Sequence, residues 1–447
     1  MITTNTAWDV RNGDLAKKPI YVFAIGGQST VYSSHDLVRE GITGTLPAYE
    51  PWLCTPTGAT QSIDVQGGTS SIGELECEVI DYGGAVRTLI GTNTLEGQSA
   101  TLSVGYPGLA ITEFVTLHVY TLYKIIPSKA YTSYLFRSRD RQIDSKRTIW
   151  DHPLNGNPIS AGNPWILQGT PCEIIQALYL LALQLDVSKV DRAWMLQLDS
   201  FAEGLYCACR PFYFVMDQPF QVKQFLENQL YKASGLYPVV NNLGQLSVRS
   251  YRAPAAGPST VLDLNADNVT VLPEYDRMEI LNDLLWNIDS GGGSSNSNYK
   301  TTLLFLDATS ISTFGRSNER QVQSDGLHSE LGAQWFCQDI SQRMFARFAG
   351  STGLRGGAPV LSVEAFYATL PVWVGDYVTV THPLMPDLFT GALGVSGRIF
   401  EVIDRSPDYA NGKMTFKLLD TGLTGIAPAK QYATGTNDAV IDTDLIY

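Results

Sequence analysis

The stretch PVWVGDYVTVTHPLMPDLFTGALGVSGRIFEVIDRSPDYANGKMTFKLLDTGL, Pro371–Leu423, reads as a run of hairpins. In Tyr377–His382, Val378 and Val380 fall on one face and Thr379 and Thr381 on the other, the period-two alternation of a half-buried strand. Arg398–Arg405 reads as the next strand. The bend predicted at Ser406–Gly412 contains Pro407-Asp408 and Asn411-Gly412. Proline presets the backbone there, and Asn and Gly tolerate the left-handed region. Lys413–Leu419 then alternates, with Met414, Phe416 and Leu418 predicted inward and Lys413, Thr415 and Lys417 outward. Strands joined by such bends predict a small barrel.

The N-terminal part has the same texture. Ile20–Ile25 is a compact apolar run. In Glu74–Asp81, Leu75, Cys77 and Val79 alternate with Glu74, Glu76 and Glu78, predicting a strand with one acidic face. Leu102–Val104 and the long Phe114–Ile126 run follow, separated by Gly105-Tyr106-Pro107-Gly108, and Tyr134–Arg139 closes the series; strands at this spacing suggest a small barrel or sandwich. The middle changes period. Thr170-Pro171-Cys172-Glu173 reads as an N-cap, a proline at the first helical position and a capping box, opening a helix to about Leu185. A second helix is predicted over Gln218–Ala233, with Gly235 as its stop. A hairpin follows, Leu236–Val240 and Gln245–Arg249 around Asn241-Asn242-Leu243-Gly244. Asp283–Ile288 and Thr301–Leu306 read as strands joined by an exposed Gly/Ser loop at 291–297. A third helix is expected over Ser329–Phe348, stopping at Gly350.

The expected fold is therefore mainly β with an α+β middle: two small barrels flanking or joined by a mixed α/β domain. The bounds read as 1–145 for the N-terminal barrel, 146–355 for the middle, 356–425 for the C-terminal barrel and 426–447 for a polar acidic tail. At 447 residues the chain has ample material for several cores. Charged residues are 17% of it, against about 25% in typical domains, as suits many short strands and polar turns, or surfaces that end up inside an assembly. The net charge of −13 argues against gripping nucleic acid through its phosphates. The start carries no apolar core of signal-peptide type, and no stretch approaches the roughly 20 apolar residues of a membrane span. The cysteines, Cys54, Cys77, Cys172, Cys207, Cys209 and Cys337, form no C-x-x-C pair and read as reduced and buried.

Candidates for chemistry are weak. His35, His118, His152, His328 and His382 form no metal-ligand spacing. Asp376 and His382 could be an acid–base couple, but His382 before Pro383 reads as a strand-end residue. Asp404 and Asp408 could be paired carboxylates, but Asp408 after Pro407 is a turn former first. Gly26-Gly27-Gln28-Ser29 lacks the Lys-Ser/Thr ending of a phosphate loop, and Cys207-x-Cys209 has no second pair. The reading is not an enzyme, with no catalytic, cofactor-binding or metal residues and no cofactor.

Three C-terminal motifs carry a family resemblance. Gly375-Asp376-x-Val378-x-Val380-Thr381-His382-Pro383, Gly397-Arg398-x-Phe400-Glu401-Val402 and Leu418-Leu419-Asp420-Thr421-Gly422 resemble the last barrel of tailed-phage tail proteins. These are the baseplate hub or tail-tip hub proteins, related to the base of the type VI secretion spike. Helix 218–233 with Tyr237-Pro238 and Gly244-Gln245-Leu246 is similar to that family's middle domain. The resemblance spans roughly residues 15–425. It implies two tail-tube-like barrels per chain and a homotrimer that adapts a six-fold tail tube to a three-fold central spike or fibre. The implied location is the virion, at a tail tip or baseplate, after synthesis in the host bacterial cytoplasm. Implied partners are the tail tube or distal tail protein, the tape-measure protein and the central fibre or spike protein, with viral DNA passing through the lumen on ejection. The chain ends shortly after the last barrel, so a spike or cell-wall hydrolase is expected on a separate polypeptide. Two other readings stand beside this one. A receptor- or glycan-binding tail-tip component would present Trp373 and Tyr409 on an open face; a cell-wall hydrolase would depend on Asp376 or Asp408.

Overall fold

The computed structural model describes residues 2, 4–13, 18–191, 212–250, 260–270, 273–290, 299–328, 331–349, 357–388 and 390–424. The Cys207-x-Cys209 pair, the 291–297 loop, Gly350 and the 426–447 tail lie outside them.

The N-terminal strands are β1 Ile20–Ile25, β2 Thr30–Ser33, β3 Ala48–Glu50, β4 Thr57–Gly58, β5 Gln61–Asp64, β6 Thr69–Ser70, β7 Glu74–Ile80, β8 Ser99–Gly105, β9 Val115–Pro127 and β10 Ser133–Arg139. An eight-stranded sheet runs β3-β2-β1-β8-β9-β10-β7-β4. The segment after β3 curls it shut. Leu53 N donates to Ser33 O on β2 (3.1 Å), Cys54 N to Glu78 O on β7 (2.8 Å), and Ile80 N on β7 returns to Trp52 O (2.9 Å). Closure removes the open edges that a flat sheet would expose. Inside lie Phe23, Cys77, Val79, Leu102, Leu117 and Phe136, all buried.

The acidic face of β7 is real but neutralised. Antiparallel register sets Glu76 opposite Arg137 and Glu74 opposite Arg139, and the pairs close at 2.7 and 2.6 Å. Glu78 accepts from Ser133 Oγ at 2.5 Å. Cross-strand charge pairing of this kind is invisible until the partner strand is known.

Thr6–Gly13, for which the sequence predicts no element, is a helix. Its Trp8 is fully buried and donates Nε1 to Val104 O at 3.2 Å. Its Asn12 reaches Ala368 O at 3.1 Å, tying the chain's start to its C-terminal part.

The middle holds β11 Thr148–Ile149, β12 Trp165–Gly169, β13 Phe212–Met216, β14 Phe220–Gln221, β15 Leu236–Val240 and β16 Leu246–Ser250, paired as β11–β14, β12–β13 and β15–β16. The Thr170 capping box forms as read, with Pro171 opening the helix Pro171–Ala177. The helix then widens into a π turn, Leu178–Ala182. The second helix starts at Val222 rather than Gln218, because Phe220 and Gln221 are spent on pairing with β11. It too widens, over Leu226–Tyr231, and the π turns meet through Tyr179 Oη and Tyr231 Oη at 2.8 Å. Such widening has no period in sequence and marks local adjustment to packing. Gly235 ends the helix with φ 64°, as predicted. At the tip of the β15–β16 hairpin, Gly244 adopts φ +71°, and a Cβ there would lie 2.2 Å from Val119 O on β9. Only glycine allows this docking of the hairpin on the first sheet.

The remaining strands are β17 Thr260–Asn265, β18 Glu274–Arg277, β19 Asp283–Ser290, β20 Tyr299–Leu306, β21 Glu319–Gln323, β22 Pro359–Phe366, β23 Tyr377–Pro386, β24 Leu393–Asp408 and β25 Lys413–Thr424. The second large sheet runs β17-β23-β24-β25-β22-β18, with β5 added beside β24. β17 pairs parallel to β23. The turn after it carries the chain round to β22, where Thr270 N donates to Glu364 O (2.8 Å) and Phe366 N to Asn268 O (2.8 Å). This ring also closes. Its alternation is as predicted: Val378, Val380, Met414, Phe416 and Leu418 are buried. β24 extends into the predicted bend as far as Asp408, so the turn occupies 409–412. The β17 and β18 strands come from residues 260–277, which the sequence places in the middle domain.

β19 lies between β20 and β21 in a smaller sheet covered by the helix Leu331–Phe348, whose Ser341 Oγ accepts from Trp286 Nε1 at 2.8 Å. The fold is thus mainly β with a mixed α/β middle.

Candidate functional site

A polar constellation lies at the seam where the two closed sheets meet. β9 contributes His118 and Tyr120, β1 contributes Tyr21, and β24 contributes Arg405, with Trp373 and Tyr409 from the loops flanking β23 and β25. His118 Nε2 and Tyr409 Oη lie 2.7 Å apart, Tyr21 Oη and Tyr367 Oη 2.8 Å. Arg405 donates Nε to Val372 O (2.9 Å) and Nη2 to Leu370 O (3.3 Å), and its guanidinium lies 4.6 Å from the centre of the Trp373 ring. Trp373 Nε1 donates to Val240 O of β15 at 2.7 Å, so the hairpin joins the same knot. At the rim, β5 and β24 pair as strands, and Thr60 Oγ1 meets Ser406 Oγ at 2.9 Å.

Burial dictates the charge states. Removal from water, reinforced by the Arg405 charge, holds His118 well below the usual imidazole range. Burial likewise raises the Tyr120 phenol well above its ordinary value. Asp140, against the outer end of this seam, is pushed up to about 7 by burial, although Gly73 N (2.7 Å) and Gln142 N (3.0 Å) donate to it. Between about pH 6.5 and the lower native value, only the unfolded chain protonates His118, so its contribution to stability is lost as pH falls. Asp140 runs the other way, since between about 7 and 3.8 the native state holds the proton and gains stability on acidification. His118→Gln should therefore remove an acid-destabilising slope, and its urea midpoint should fall less than the wild type's from pH 7 to 5. Equal slopes in the two proteins would refute a buried neutral His118.

A second knot also centres on β24. Arg347, on the last turn of Leu331–Phe348, pairs with Glu401 of β24, and Tyr237 of β15 donates to the same carboxylate. All three side chains are buried. Nearby Arg398 Nε donates to Asp420 Oδ2 at 2.7 Å. Charges at such depth survive only when paired and hydrogen-bonded. Each knot spans elements far apart in sequence, and its chemical capacity is to hold them rigid.

The residues singled out in sequence take ordinary places. Asp376 Oδ2 accepts from Trp373 N at 2.8 Å, closing the turn before β23. His382 Nδ1 accepts from Leu384 N at 3.2 Å within its own strand. Asp408 accepts from Ala410 N, Asn411 N and Asn411 Nδ2, and these bonds hold its carboxyl below the usual range. Asp404 is half-buried beside β5. Asp376 and His382 bind separate backbone groups. Trp373 and Tyr409 are 2% and 4% exposed, which corrects the glycan-binding reading built on them: they are core residues of the seam. Alternating patterns cannot distinguish a loop aromatic that faces solvent from one that a second sheet covers. Cys77, Cys172 and Cys337 are buried and Cys54 is half-buried. Among the described residues, no three His, Cys, Asp or Glu side chains are grouped to hold a metal ion, and no helix is long and apolar enough to cross a membrane.

No protein-family model matches the sequence, and no curated protein matches it. Solved structures similar in shape include a tail protein from Neisseria meningitidis MC58 (12% identity, 91% of this chain and 98% of that one, TM-score 0.48). Others are the 43 kDa tail protein of prophage MuSo2 from Shewanella oneidensis (14%, 90% and 99%, 0.45) and prophage tail protein gp18 from Listeria monocytogenes EGD-e (9%, 90% and 94%, 0.43).

Proposed function

We propose that this chain is a structural hub of a bacteriophage tail tip or baseplate, a virion component and not an enzyme. The observation that carries the reading is the pair of closed β sheets locked face to face by the His118–Tyr409–Arg405–Trp373 seam. It is joined to the hub-like motifs of β23, β24 and β25. A rigid pair of barrels is the unit that three copies need to present six barrels to a six-fold tube while keeping three-fold symmetry toward a spike or fibre. The proposed domains keep the bounds 1–145, 146–355, 356–425 and 426–447, with β17 and β18 lent by the middle to the C-terminal sheet. Proposed partners are two further copies, the tail tube or distal tail protein, the tape-measure protein and a central fibre or spike protein. The chemistry lies in interfaces, so no catalytic, cofactor or metal residues are assigned. The acidic balance of −13 suits a lumen along which DNA slides without adhering.

The test is stoichiometry in the assembled particle, by negative-stain imaging of tails and native mass spectrometry of the released tip. The expected result is a three-fold ring at the tube end. One copy or six per particle would overturn the symmetry-adapter role, and a neutral or basic lumen in the ring would overturn the sliding surface.

A further inference from the structure

A cleft of about 820 Å³ opens between β13 and the helix that begins at Val222, within the range of small-molecule sites of about 300–1,000 Å³. Its floor is aromatic. Phe214 of β13 and Phe225 of the helix meet edge to face at 4.9 Å, and Phe220 approaches Phe225 at 5.5 Å, so the two walls are tied beneath the opening. Phe214 and Phe225 are buried and Phe220 is half-buried. The rim is polar in a particular way. Asp217, Gln218, Gln224 and Asn228 are exposed and line the cleft. On the same rim, Asp325 accepts from Tyr299 Oη at 2.7 Å, and its backbone is fixed by Gln229 Oε1 at 2.8 Å. Among the described residues, neither Lys nor Arg lines it.

β13 adds backbone groups. Tyr213 N turns away from β12 and donates to Gly326 O at 2.8 Å. By the alternation of an antiparallel pair, Val215 N–H points to the same side, along the cleft.

We propose that this cleft binds an uncharged saccharide. Carboxamides donate and accept at once, as sugar hydroxyls do, and carboxylates accept from them. Half-buried Phe220, backed by the Phe214–Phe225 pair, offers apolar area to the C–H face of a pyranose ring. Two carboxylates with no Lys or Arg among the described lining residues disfavour phosphate, sulfate or uronate ligands. This assigns surface recognition to the middle domain, away from the Trp373–Tyr409 seam, and it does not depend on the hub reading. A failed binding experiment leaves the ring count untouched, and the reverse also holds.

The experiment is calorimetric titration of the full chain with chitotetraose, maltotetraose, mannotetraose and galactotetraose, with polygalacturonate and a tetralysine peptide as contrasts. One neutral oligosaccharide should bind with Kd of about 0.1–1 mM. The exposed-site double variant Gln224→Ala/Asn228→Ala should weaken it about tenfold or more without changing the melting temperature. Phe220→Tyr, which keeps the ring, should retain binding. The proposal is overturned if none of the four binds by about 10 mM. It is equally overturned if polygalacturonate or tetralysine binds more tightly than any of them, or if the double variant keeps wild-type affinity.

Discussion

Arg347→Met is expected to destabilise the native chain by about 3–5 kcal/mol, the cost of leaving a buried charge without its partner. Arg347 and Glu401 are 1% and 0% exposed in their side chains, and Tyr237 shares the carboxylate. Methionine fills much of the arginine's volume, so the loss isolates charge pairing from packing. The double variant Arg347→Met/Glu401→Leu should recover a large part of the loss, because replacing both ions with apolar groups removes the desolvation penalty as well as the attraction. Urea unfolding of the wild type, the single and the double variant decides this. Equal destabilisation in single and double variants would show that the pair is not what joins the helix Leu331–Phe348 and the hairpin to β24.

Trp373→Ala should cost a comparable amount, about 3–5 kcal/mol, from lost burial and the cavity left behind. The indole lies 5.3 Å from the His118 ring, carries the Arg405 guanidinium on its face and donates to Val240 O. Trp373→Phe keeps most of the packing but orphans that carbonyl, a loss of about 1–3 kcal/mol. The expected order is Ala worse than Phe, and Phe worse than wild type. An alanine variant within about 1 kcal/mol of wild type would mean that the sheets are held together elsewhere, since surface substitutions behave that way.

Much of the architecture is legible in local sequence. The inward Val378, Val380, Met414, Phe416 and Leu418 follow from alternation alone. The Thr170 capping box and the Gly235 stop follow from backbone chemistry that needs no partner. Asp408 declares itself a turn residue, because its bonds close within three positions. The candidate sites fared differently. Trp373 and Tyr409 look available in sequence and are enclosed in the structure. The cleft beside Phe214 and Phe225 gathers residues from a strand, a helix and the 325–328 segment, which no motif links.

Local order along this chain, its strand periods, caps and turns, was determined by the residues themselves, because those interactions reach only a few positions. Tertiary structure alone decided the rest. It placed β17 parallel to β23 and β5 beside β24, set Arg137 and Arg139 against the acidic face of β7, and buried Arg347 against Glu401. Each of these is a long-range pairing whose energy exists only once two distant segments have excluded water from between them, and no local pattern encodes which segments will meet.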